Sequence, residues 1–399
     1  VSKGNKSTAL GGLVFATLVG ALGVAAGAWF GMSYHYGQVR HEVAERVLAT
    51  ADWSPERVER EGLTDDCSAA NLREEAERLM GNVDVFEVSK VDRFGSSPTA
   101  QRARELSRTL RALEPATKAF LAAYACNGIG RFARTGREQQ LSGPLLAKAI
   151  GAASWIDDER SADLMKVVWV GRDTQASAGL YEFMEGARIM AAAYGTLARR
   201  LEEGALDPML DPLMADLEKL IAHEESAQNH WRAGSRVLLA DLLGPEWDAN
   251  PPTPLHARAM IESMDDILAS LDNMPKLASA PYPERYATME TWIAEHDMSA
   301  WDQKFQGFGD AGLKADALAT HAHALGRALY LGAALRKYRR SRGYCPRELD
   351  DLVDAKVVPA VPRDPVAAAP FTYDRRACSL TSAADPTGIE PIVVHAIPR

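Results

Sequence analysis

In 399 residues there is no Cys-x-x-Cys pair, no Gly-x-Ser-x-Gly turn, no Walker-type phosphate loop and no Glu-x-x-His helix motif. The first absence leaves thioredoxin-like exchange and c-type haem attachment without their attacking or tethering thiols. The next two remove the strained serine elbow and the backbone cradle for a nucleotide phosphate. The last removes the usual signature of a di-iron helical bundle. Histidine is scarce and scattered. His223-Glu224 starts like a zinc-protease helix, but Ala227 stands where the second histidine belongs. His321 and His323, two apart on a helix, point about 200° from each other, a poor arrangement for one shared ion. "GFGDAG" at 307–312 matches a dinucleotide fingerprint in form only, because "WDQKFQ" before it is no buried strand. Acid clusters such as Asp157-Asp158-Glu159 read as solvated loop charge. Two distant carboxylates can still meet in space, so a glycosidase-like pair stays open.

Charge is ordinary in amount, at 25% of residues, but unevenly placed. Residues 1–40 hold Lys3, Lys6 and Arg40 and no acid; subtracting that +3 from the overall −9 leaves −12 for the rest. An acidic body of this kind argues against nucleic acid, whose phosphates need clustered cations. The one basic run, Arg336–Arg347, suits the carbonyl end of a helix. Within those first residues, Ser7 to Tyr34 carries no charge at all: "STALGGLVFATLVGALGVAAGAWFGMSY". That run is long enough for a helix to cross the hydrocarbon layer, and Trp29, Tyr34 and Tyr36 fall where an aromatic belt would mark the far interface. The rival reading is a secretory leader cut after Ala26-Gly27-Ala28, but the apolar run continues past that point. The two lysines before the span favour a cytoplasmic N-terminus and an exported body in the inner membrane. Gly12, Ala16, Gly20, Gly23, Gly27 and Gly31 recur at steps of three and four. They line one helical face smooth enough for another membrane helix, from a partner subunit or a second copy, to pack closely. Glycine being common in membrane helices is the plainer account of the same pattern.

What is abundant is helical periodicity. Leu180, Met184, Ala187, Ala191, Tyr194, Ala198 and Leu201 follow one stripe. Met260, Met264, Ile267, Leu271 and Met274 make a second. Leu106, Leu110, Leu113, Phe120 and Tyr124 make a third, with a helix restart expected at Pro115. Ser54-Pro55 and Asp207-Pro208 resemble N-caps followed by proline. "GSSPT" (95–99) and "NPPTP" (250–254) read as loops, and Val83–Val91 has extended character. The stretch 313–342 is apolar nearly all round, with only Arg327 charged between Ala324 and Leu335, as expected of a central buried helix. It should stop at Gly343, a residue suited to a left-handed cap. Pro346 then permits a short helix bearing Leu349, Leu352 and Val353. "FTYD" (371–374) and "IVVHAI" (392–397) suggest a small antiparallel pair.

Four cysteines suit two disulfides in an oxidising compartment. Of the three pairings, Cys345 with Cys378 and Cys67 with Cys126 is favoured by proximity in the two regions; four unpaired thiols is the alternative.

The residues "AALRKYRRSRGYCPRELDDLV", "PRDP" and "FTYDRR" resemble the segment after the long helix in major pseudopilins of type II secretion. They are similar also to the tails of membrane-anchored bacterial proteins, planctomycete ones among them. The matching positions include Tyr338, Gly343, Tyr344, Pro346, Asp364 and Tyr373. In pseudopilins the membrane helix runs straight into this module, whereas here a long helical body intervenes, and the pilin-type processing sequence is absent. The resemblance implies a folding module more than a docking element. The calcium site of that family does not map cleanly, although Asp385 in "ADPTG" lies in a suitable loop.

The expected fold is mainly α, in three parts. Residues 1–37 form a single transmembrane helix, 38–342 a large α-helical exported domain, and 343–399 a small C-terminal helix-turn-β module. The expected function is a noncatalytic, membrane-anchored scaffold or accessory subunit of a bacterial envelope complex, with no cofactor. Its expected partners are the lipid bilayer and other transmembrane helices. A component of a type II secretion or pilus-like apparatus, and an envelope enzyme with an unrecognised helical site, are the alternatives.

Overall fold

Capped, amphipathic helices account for most of the chain. The computed structural model describes residues 6–49, 67–84, 89–92, 99–126, 142–176, 180–224, 226–243, 247, 249, 252–295, 303–384 and 391–397. For residues 6–23 and 303–309 only the backbone is described. The helices are α1 (Lys6–Ala49), α2 (Ala69–Met80), α3 (Ala100–Glu105), α4 (Ser107–Ala122), α5 (Ser142–Ser154), α6 (Ser161–Gln175) and α7 (Leu180–Glu203). They continue as α8 (Leu210–Ala222), α9 (Ala227–Leu243), α10 (Pro254–Leu277), α11 (Tyr282–Glu295), α12 (Gln303–Arg342) and α13 (Asp351–Asp354). Ser68 and Thr99 cap α2 and α3, their hydroxyl oxygens accepting from the Asn71 and Arg102 amides at 3.3 Å. Pro254 opens α10, at the position where a missing N–H costs nothing.

The chain forms two compact units, each from separated stretches: residues 1–52, 235–273 and 297–307 in the first, and the remainder in the second. In the first, the far end of α1 contributes Val43 and Val47 to a core with Leu239 and Leu243 of α9 and Met260, Met264, Ile267 and Leu271 of α10. Arg40, only 7% exposed, donates to the Leu243 carbonyl and lies over the Trp247 ring. Its cationic end is thus satisfied by a helix terminus and an aromatic face.

In the second unit α6 and α7 lie along each other, α5 packs on α7, and α4 packs on α2 and α5. A close approach lies at Gly171 and Gly186, where the two backbones meet with no room for a side chain. The stretch of α12 from Ala328 to Leu335 is buried all round, and Ala328, Leu329, Leu331, Ala333, Ala334 and Leu335 are fully closed to solvent. Each large aliphatic side chain so buried stabilises the fold by about 1.5–3 kcal/mol relative to leaving it in water. Small residues let neighbours press in, Tyr194 of α7 against Gly326 and Val394 against Gly332.

The helix ends as its sequence suggests. Gly343 takes φ +80° and its N–H donates to the Arg339 carbonyl at 2.7 Å. The C-terminal sheet is three-stranded and antiparallel in the order β1 (Thr372–Asp374), β2 (Ser379–Thr381), β3 (Val393–His395). The two expected strands therefore do not pair with each other. Each pairs with β2, whose three residues are too short to display a period.

Other expectations are corrected. The helix does not restart at Pro115. The break falls at Leu106, and α4 runs through the proline because Leu113, Ala116 and Phe120 hold its buried face. Asp207 does not cap a helix; the 3-10 turn Asp207–Met209 starts from Leu206, and the Asp207 carboxylate pairs with Arg336. Residues 89–92 are helical rather than extended. Ser54-Pro55 lies outside the described residues.

Candidate functional site

Polar groups gather where α8 ends and faces the middle of α12. Arg327 donates from Nε to Glu224 Oε1 at 3.0 Å and from Nη2 to Oε2, and its Nη1 reaches the Arg363 carbonyl at 2.8 Å. One turn earlier on α12, His323 points Nδ1 at Glu224 Oε2 from 3.8 Å. Its Nε2 is buried and meets no hydrogen-bond partner among the described residues. Two turns before that, Asp316, 2% exposed, takes Arg285 of α11 in a fork: Nε to Oδ2 at 3.2 Å and Nη2 to Oδ1 at 3.0 Å. Arg285 also donates to Thr320 Oγ1 and to the Ala280 carbonyl, and lies over the Tyr282 ring. Opposite, on α6, Arg172 donates to the His223 carbonyl.

Helical spacing explains why these groups face one way: residues 316, 320, 323 and 327 advance by four, three and four, so they share one face of α12. Two guanidinium–carboxylate forks result, each fixing its acid geometrically. Burial lowers the basicity of His323 below its ordinary value. Glu224 and Asp316 oppose that shift, and Arg327 and Arg285 reinforce it. Tyr194 is raised far above the usual phenol range, by burial first and by Glu224 second. The layer thus contains a neutral imidazole beside fixed ion pairs. Glu224 has both oxygens engaged by Arg327, so it cross-links the end of α8 to α12.

A further buried pair joins Arg73 of α2 to Glu185 of α7 at 3.4 Å. Its role is to tie two helices. In the first unit Arg236 of α9, 1% exposed, pairs with Asp272 of α10.

Residues singled out in the sequence are distributed as follows. Cys67 is bonded to Cys126 and Cys345 to Cys378, with Cα atoms 5.3 and 6.0 Å apart. Gly27 and Gly31 are exposed on α1, with nothing within 4 Å of where a Cβ would stand. Gly12, Ala16, Gly20 and Gly23 lie on the backbone-only part of α1. Residues 307–312 sit inside α12 and form no loop, and Gly312 packs against Trp231. Asp158 pairs with Arg200, and Asp157 with Arg160. Asp385 lies outside the described residues, and among the described residues no group of three acids, histidines or cysteines is placed to hold a metal. The sequence placed Glu224 in a separate stretch from His323 and Arg327. Sequence reasoning missed their meeting, because the only hint was an acid next to a helix end and two polar side chains on an otherwise apolar helix.

Comparison with protein-family models, with characterised proteins and with solved structures finds no match to this chain.

Proposed function

We propose that the chain is a noncatalytic scaffold or accessory subunit, anchored in a bacterial inner membrane by α1 with its body on the exported side. The observation that carries the reading is the change of environment along one unbroken helix. α1 has 44 residues, a length of about 66 Å, twice the hydrocarbon thickness. Val24, Phe30 and Tyr34 are each more than 70% exposed, whereas Val43 and Val47 further along are enclosed by α9 and α10. An apolar exposed stretch feeding directly into a packed protein core suits a helix that leaves lipid and enters its own domain. Among the described residues no helix is long and apolar enough to cross a membrane, and most of the apolar run Ser7–Tyr34 falls where only backbone is described. Support for the span therefore comes from its composition. Two disulfides suit an oxidising compartment. The uncovered surface at Gly27 and Gly31 suits a second membrane helix from a partner or another copy.

Membranes from cells producing the full chain should retain it through a carbonate wash. Protease added to intact spheroplasts should degrade the body. Native mass measurement in mild detergent should find it with another chain. A washable protein, or a body shielded until lysis, would count against the anchor; a lone monomer at every detergent ratio would count against the scaffold role.

One feature favours a more specific setting. The capped end of α12 and the cystine-closed module after it carry the pseudopilin-like residues, so a place in a secretion or pilus-like apparatus is the second reading. Co-fractionation with pseudopilins or an outer-membrane secretin separates the two readings.

A further inference from the structure

Arg327 bonds in two directions. Two of its hydrogen bonds go to Glu224 at the end of α8 and one goes to the Arg363 carbonyl in the loop that follows α13. That loop belongs to the C-terminal module and is itself organised by a buried acid. Asp364, 1% exposed, accepts the Val366 amide on Oδ1 at 2.9 Å and the Ala383 amide on Oδ2, and its own N–H donates to the Ala369 carbonyl at 2.7 Å. The Arg327 side chain is thus a strap from helical core to module. His323 stands one turn away, facing the same Glu224 oxygen that takes Arg327 Nη2.

We propose that Glu224, His323 and Arg327 form an acid-sensitive latch, in which protonation of His323 draws Glu224 away from Arg327 and loosens the loop around Arg363 and Asp364. The reason is charge balance in a space poor in water. The groups facing His323 are Glu224 from the α8 end, Arg327 and Asp316 from α12 and Arg285 from α11, with Arg172 of α6 beyond Tyr194. With His323 neutral, the nearest four charges cancel. A proton on His323 adds a positive charge beside two guanidinium groups, and both acids that face it, Glu224 and Asp316, are already shared with those guanidiniums. Glu224 then has two cationic suitors on one face, and each bond it makes to the imidazolium is withdrawn from the strap. The inference stands whether or not α1 spans a membrane. An exported body would meet such acid directly, since that side follows the pH of the surroundings.

The test is hydrogen–deuterium exchange on the full chain at about pH 7.5 and about pH 5.5, normalised to the intrinsic rate at each pH. In the parent protein, protection of the Asp364, Val366 and Ala383 amides should drop about tenfold at the lower pH while the α6 and α7 amides hold. His323→Gln, which cannot take the proton, should keep that protection at both values. Arg327→Gln should lack it at both. His323→Asn serves as a second neutral variant if the glutamine disturbs packing, which far-UV circular dichroism reports. An unchanged pH response in the folded neutral variants overturns the proposal. So does loss of α6 and α7 protection in parallel, which would make the transition global, or a module equally protected at both pH values in the parent protein.

Discussion

At the scale of single residues, two glycines of α7 invite opposite outcomes. A Cβ on Gly186 would stand 2.8 Å from Gln175 Cα and closer still to the Gln175 nitrogen and Gly171 oxygen, all backbone atoms that cannot yield without separating α6 from α7. Gly186→Ala should therefore destabilise by about 1–3 kcal/mol, the usual range for an overpacked core. Gly195, on the same helix, has nothing within 4 Å of that position. There alanine should stabilise by about 0.5–1 kcal/mol, because it removes a flexible residue from a helix interior. Urea midpoints of the two variants, read against the parent, check the pair. His323 carries the pH dependence. Its basicity is lowered in the fold by burial, so the unfolded chain binds the proton more readily. Stability is then fully present above the ordinary value of 6.5 and declines as pH falls below it. The contribution from one such group is at most about 1.4 kcal/mol per pH unit. Denaturation of His323→Gln between about pH 7.5 and about pH 5 should show that slope reduced. No periodicity analysis exposes this behaviour, since the partners of His323 lie 99 residues upstream at Glu224 and 38 upstream at Arg285.

At the scale of elements, local chemistry explains most starts and stops. The apolar stripes on α7 and α10 are buried at their Leu and Met positions, because a period near 3.6 puts them on one side. Gly343 ends α12 as a left-handed residue does, and Leu349 and Leu352 of the short helix region are buried beneath it. Pro115 shows where local preference yields. It sits exposed in the middle of α4, denying the Arg111 carbonyl its partner, while the buried face of α4 holds the helix together. Pro115→Ala should restore that bond and raise stability by about 1–3 kcal/mol. A higher thermal midpoint measures it, and an unchanged or lower one means the turn is already adapted to the ring. The missed strand β2 is the converse case. Ser379–Thr381 has no alternation to read, and it becomes a strand because β1 and β3 sandwich it in the sheet plane, one on each edge.

At the scale of the whole molecule, covalent ties fix what short elements cannot. A module with three strands of three residues and one turn of helix buries little surface of its own. The Cys345–Cys378 bond joins the turn after α12 to the start of β2, across 33 residues. Cys345→Ser with Cys378→Ser should destabilise the module by about 2–4 kcal/mol, mainly by enlarging its unfolded ensemble. Urea denaturation under non-reducing conditions should then show an early transition in that region ahead of the helical core; one coincident transition at the parent midpoint would refute the assignment. The sequence alone determined a mainly helical chain, an uncharged apolar N-terminal run, a central helix stopped at Gly343 and an acidic body, because composition and short-range spacing carry that information. Only the tertiary structure decided that α1 shares a core with α9 and α10, which of three cysteine pairings forms, that β2 divides the two foreseen strands, and that Glu224, His323 and Arg327 meet. Those are contacts between residues far apart in the chain, and their free energy depends on packing that no window of neighbouring residues records.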